Sequence, residues 1–111
     1  MRMPRTAVLS LLVAMLGACA KPVPPEKHAY VGEWRAPNMT LRISQDGRVV
    51  YKRSDGAVRT SIDGPIKDFH GDDFSVGIGF VATTFVVAAP PHADGSVWKM
   101  TVDGVELVRQ Q

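Results

Sequence analysis

Beyond residue 28 the chain alternates apolar and polar positions with a period of two, and no long stretch keeps a helical period. Met39, Leu41 and Ile43 share one face, with Thr40, Arg42 and Ser44 on the other. Val58, Thr60 and Ile62 oppose Ala57, Arg59 and Ser61, and Phe74, Val76, Ile78 and Phe80 make the longest single-faced row. Such alternation predicts half-buried β-strands. Between the runs stand Asp46-Gly47, Asp55-Gly56, Asp63-Gly64-Pro65, Gly71-Asp72-Asp73, Asp94-Gly95 and Asp103-Gly104. Glycine and aspartate tolerate the backbone that tight hairpins require, so these are turns. The clearest hairpin is the last, Val97 to Val102 turning at Asp103-Gly104 into Val105 to Arg109.

This spacing predicts an all-β fold, an antiparallel meander of about eight short strands. A sheet apolar on one face must cover that face, and no helix is on hand to do so. Closure into a small barrel is expected, with a flattened β-sandwich as the alternative. Gly77 and Gly79 point away from the Phe74 row and predict a sharp bend or a close strand approach at a barrel corner. In Pro65 to His70 the apolar residues fall three apart, which predicts a bulge or an edge.

The segment before the strands has a different character. Arg2 and Arg5 precede an apolar run from Ala7 to Leu16, the charge-then-apolar order of a secretory signal peptide. The run falls well short of the ~20 apolar residues needed to span a bilayer. It ends in Leu16-Gly17-Ala18-Cys19, which resembles the lipobox of bacterial lipoproteins at all four positions. The resemblance implies cleavage before Cys19 by the lipoprotein signal peptidase, diacylglyceryl attachment to the Cys19 sulfur, and acylation of the new amine with a fatty acid such as palmitate. Several acyl chains make a stable membrane anchor where one is marginal. Ala20, where an aspartate would favour inner-membrane retention, implies delivery by the sorting machinery to the outer membrane, facing the periplasm. The expected organisation is a signal peptide over 1–18, a lipidated tether over 19–28 and a β domain over 29–111. The tether holds Pro22, Pro24 and Pro25 and is expected to be an extended, stiff spacer.

Charge sharpens this. The net +2 of the whole chain resides in Arg2 and Arg5; the remainder balances 11 basic against 11 acidic residues. A neutral domain lacks the overall excess that neutralises phosphates, so nucleic acid is not an expected partner. Within the domain, Arg35, Arg42, Arg48, Lys52, Arg53 and Arg59 stand against Asp46 and Asp55. They form either a basic face for acidic lipopolysaccharide or a protein, or the solvated outer side of a sheet. Cys19 is the one cysteine, so no intramolecular disulfide forms.

At the two ends of the domain, Gly32-Glu33-Trp34 opens and Arg109 closes the strand region. A Gly-x-Trp on the first strand with a basic residue on the last resembles lipocalins and the broader calycin barrels. The resemblance implies a structural role for Gly32, Trp34 and Arg109, the cation lying against the indole face. The second lipocalin motif, Asp followed closely by Asn-Tyr, is missing, and small barrels are filled by their own side chains. Asp68, His70 and Asp72 fall at alternate positions, either convergent metal ligands or an exposed edge strand running into a turn; no metal and no cofactor is expected. None of Ser44, Ser54, Ser61, Ser75 and Ser96 sits on a glycine-flanked sharp turn, and Asp72-Asp73 diverge as turn neighbours do, so an enzyme is not expected. Ala88 to Gly95 is the longest irregular stretch, and its Pro90, Pro91 and His92 are candidates for binding if it is a loop displayed on a rigid barrel. The expected function is a non-enzymatic binding or structural module with an envelope protein partner. The alternatives are an inhibitor of a cell-wall hydrolase such as lysozyme and a lipocalin-like carrier of a small apolar ligand.

Overall fold

The computed structural model describes residues 21–78 and 80–111; the stretch expected as a signal peptide, Cys19, Ala20 and Gly79 lie outside the described residues. A 3-10 turn, Pro25–Tyr30, precedes nine strands: β1 Gly32–Ala36, β2 Met39–Ile43, β3 Arg48–Asp55, β4 Val58–His70, β5 Asp73–Ile78, β6 Val81–Phe85, β7 Val87–Asp94, β8 Val97–Val102 and β9 Val105–Arg109. All pair antiparallel in one curled sheet, a half-barrel with the order β6-β5-β4-β3-β2-β1-β9-β8-β7. Every pairing follows the chain except β1 with β9, which brings the two ends of the domain together.

The expected meander is therefore present, with one strand more than the approximate eight. The extra strand is Ala88 to Asp94, the stretch expected as an irregular loop. Prolines suppress a strand signal because they cannot donate to a ladder, but an edge strand needs donors on one side only. β7 is such an edge. It pairs with β8 through Ala89↔Thr101 and His92↔Lys99, and the register shift between these pairs accommodates Pro90 and Pro91.

The alternation places the core as read for β2, whose Met39, Leu41 and Ile43 are all buried. Facing them are Trp34, Val49, Met100, Val102 and Leu107, all fully buried. One part of the interior is aromatic: Phe74 stacks on Phe85 at 5.1 Å, Phe85 meets Tyr51 edge-on at 4.9 Å, and Tyr30 meets Phe69 at 5.4 Å. Offset and edge-to-face rings add to the burial of these large side chains.

Two expectations about β5 resolve differently. Phe74 and Val76 are buried, but Ile78 is 76 % and Phe80 98 % exposed, so the four-residue apolar row ends halfway. The cause lies at Gly77, whose φ of +155° brings β6 close: a Cβ there would lie 2.0 Å from the Val81 carbonyl oxygen. The close strand approach expected at Gly77 is present, and it swings the tip of the β5–β6 hairpin off the core. β4 is an interior strand and not an edge. The irregularity expected in Pro65 to His70 is a bulge, at the register shift between Ile66 and Asp68.

The two edge strands are consecutive, β6 passing directly into β7 through Val86 without pairing to it. Two carboxylates serve the backbone at this crossing. Asp103 accepts the Val86 amide at 2.8 Å and Asp73 the Val87 amide at 2.7 Å. Each satisfies a donor that no neighbouring strand reaches. Asp103 itself stands at φ +48°, as the expected tight turn before Gly104 requires.

The stretch expected as a spacer is short of one. Val23 is buried, its amide donates to the Gln45 carbonyl at 2.9 Å, and Gln45 Nε2 donates back to the Val23 carbonyl. Pro25 sits at the start of the 3-10 turn, where a missing N–H costs nothing. The folded unit thus begins at about Val23 rather than Ala29. Apolar Val23 and Tyr30 draw the proline segment onto the domain.

Candidate functional site

The ends of the domain meet in a small cation–aromatic stack. Trp34 and Arg109 are register partners on β1 and β9, and the Arg109 guanidinium carbon lies 5.7 Å from the Trp34 ring. On its other side the same group lies 5.0 Å from the Trp98 ring. Gly32 clears the path for this arginine, since a Cβ there would stand 3.0 Å from Arg109 Cδ. The Trp34 indole N–H donates to the Tyr30 carbonyl at 3.0 Å, so the buried ring has its one polar atom satisfied. Gly32, Trp34 and Arg109 are therefore brought together at the junction of β1 and β9. Trp98, partly exposed, was the member not singled out in the sequence. The signal for it was the last hairpin itself, where the Lys99↔Val108 register, carried one residue further, puts Trp98 directly across from Arg109.

Tyr30 ties the 3-10 turn to the far strands. Its hydroxyl donates to the Asp72 carbonyl at 2.8 Å, and burial, followed by the nearby Asp72 and Asp73 charges, pushes its pKa up to about 12. The sign is fixed: the unfolded chain releases this proton near pH 10 while the folded chain holds it, so the contribution is whole below pH 10 and lost as pH rises towards 12. Wild type should lose more stability than Tyr30→Phe between pH 9 and pH 11.5, measured by urea unfolding; equal losses would remove Tyr30 as the cause.

Pro90, Pro91 and His92 are spread along edge strand β7 and do not gather around a hollow. His92 Nδ1 lies 2.8 Å from the Pro90 carbonyl oxygen, a local contact across the bulge. Asp68 pairs with Ser75 and His70 with Asp73, while Asp72 is in the turn. Among the described residues no group of three potential metal ligands converges.

The basic run has a definite arrangement. Arg35 on β1, Arg42 on β2, Arg48 and Lys52 on β3, and Arg59 on β4 all emerge on the outer side of the sheet, with Glu33 and Asp63 as the acidic groups among them. Arg53 belongs to the other side and donates to the Asp103 carbonyl at 3.3 Å. Arg35 pairs with Glu33 at 2.5 Å and Arg48 with Asp63 at 2.8 Å. Arg42, Lys52 and Arg59 have no ion-pair partner among the described residues. A hollow of about 300 Å³ between Arg42, Ser44, Arg48 and Val50 adjoins another of about 190 Å³ reaching to Arg35, Thr40 and Lys52. A separate apolar cleft of about 300 Å³ lies between 21–24 and Ile66, Lys67, Asp68 and Phe69 of β4. Compared with protein-family models, with curated proteins and with solved structures, the chain gives no match.

Proposed function

We propose that the chain is a lipid-anchored lipoprotein of a bacterial cell envelope, cut before Cys19, whose β domain is a non-enzymatic binding or structural module facing the periplasm. The observation that carries this is the N-terminal order of Arg2 and Arg5, an apolar run too short to span, and Leu16-Gly17-Ala18-Cys19 at its end. The packing supports a module over a carrier: the inner side of the half-barrel carries one continuous cluster of buried apolar side chains, among them Trp34, Phe74, Phe85, Met100 and Leu107. The inhibitor reading gains no observation of its own.

The decisive measurement is the intact mass of the protein made in a bacterial host. A mature chain beginning at Cys19 and carrying acyl groups is expected. Cys19→Ala should accumulate as the uncut precursor and lose the acyl mass. A mature chain with a free Cys19 thiol would sink the anchor. The binding half has its own test, retention of a stoichiometric envelope protein by the immobilised mature domain.

A further inference from the structure

We infer that the outer side of β1 to β3 lies flat against an anionic, phosphate-bearing lipid surface, so that the domain rests on the membrane instead of standing away from it. The inference rests on the lipoprotein reading above and adds the orientation and the lipid chemistry.

Two observations carry it. The first is where the chain leaves the domain. Val23 is bonded to Gln45, and the Lys21 carbonyl lies over Gly47, where any Cβ would collide with it. Only Ala20 separates Lys21 from Cys19. Two residues reach at most about 7 Å, so an anchor on Cys19 holds the β2–β3 turn within a few ångström of the headgroups. The spacer read in the sequence would have permitted any orientation; a docked segment does not.

The second is charge. Arg48 follows that turn directly, and the strip continues through Arg42 and Lys52 to Arg35, with Lys21 at its anchored end. Arg42 and Lys52 have no carboxylate partner among the described residues; Glu33 is held by Arg35, Asp63 by Arg48, and Asp46 in the β2–β3 turn by Ser44 and the Arg48 amide. Arg42 and Arg48 line the larger hollow and Arg35, Arg42 and Lys52 the smaller, which Glu33 also borders; their side-chain N–H groups are the donors a lipid phosphate would meet. Basic side chains within a Debye length of an anionic leaflet are drawn to it, and they add a second signal to acyl anchoring.

The test uses the full lipidated chain in vesicles. Because lipidation consumes the one native thiol, a cysteine introduced at Thr40, central on the face, or at Ala82, on edge strand β6, takes a fluorophore uniquely. Headgroup-attached nitroxides then report proximity. In phosphatidylglycerol vesicles at about 0.1 M salt, quenching at Thr40→Cys is expected to exceed that at Ala82→Cys by roughly threefold. The contrast should vanish in phosphatidylcholine and in the Arg42→Glu, Lys52→Glu double variant. Equal quenching at the two positions of an acylated, vesicle-bound chain overturns the orientation while leaving the anchor intact. A mass without acyl groups overturns both.

Discussion

Trp34→Ala is expected to destabilise the domain by about 4 kcal/mol, within the range for emptying a large aromatic from a core. That is a large fraction of the roughly 5–15 kcal/mol available to a small domain. The side chain is fully buried, so truncation opens a cavity at the junction of β1 and β9, the one pairing that does not follow the chain order. It also removes one of the two rings that hold Arg109 and leaves the Tyr30 carbonyl without the indole donor. Trp98→Ala serves as the control, since that ring touches the same guanidinium from a partly exposed position and should cost about 1 kcal/mol. Urea unfolding followed by far-UV circular dichroism measures both. Equal losses for the two variants would show that the cation stack, and not core filling, dominates at this junction.

Gly77→Ala is expected to cost at least about 2 kcal/mol through two separate effects. The backbone φ of +155° is one that side chains rarely adopt, and the added methyl would meet Val81 and Ala82 main-chain atoms at 2.0 to 2.9 Å. None of these three atoms is the flexible end of a side chain, so relief requires β6 to move. Phe85 ends β6 and is wedged between Phe74 and Tyr51, which makes the movement expensive. Gly56→Ala is the comparison: φ is again positive, at +63°, but nothing lies within 4 Å, and the loss should be about half or less. If the two variants unfold at the same urea concentration, the close approach of β5 and β6 carries no energetic weight.

The strands were legible wherever alternation alone decides burial, as in Met39-Leu41-Ile43, and the last hairpin could be read to the residue because Asp103-Gly104 fixes its turn. The Trp34–Arg109 contact was legible because a local pattern at one end has its partner at the other. Three features were not. Ile78 and Phe80 share the parity of Phe74, and parity says nothing about where a sheet curls off its core. Pro90 and Pro91 read as a loop because the propensity against proline in strands averages over edges and interiors, while only the fold assigns an edge. The proline-rich stretch from Pro22 read as a spacer because composition is blind to one buried valine. Of the candidate surface, the residues of the basic run were visible in the sequence; that Arg53 faces the other way from Arg48 and Lys52 follows from the register of β3.

The unequal edges of the open sheet set a limit on how the protein can associate with itself. β6 offers Val81, Ala82, Thr83 and Thr84, uncharged and exposed, with main-chain groups free to template another strand. β7, with two prolines and two register shifts, is a poor acceptor for that template. Growth of a fibre by sheet extension needs each molecule to supply two competent edges, one to receive and one to pass on. With one, strand addition terminates at a symmetric pair, so the half-barrel remains open without becoming a seed for polymerisation.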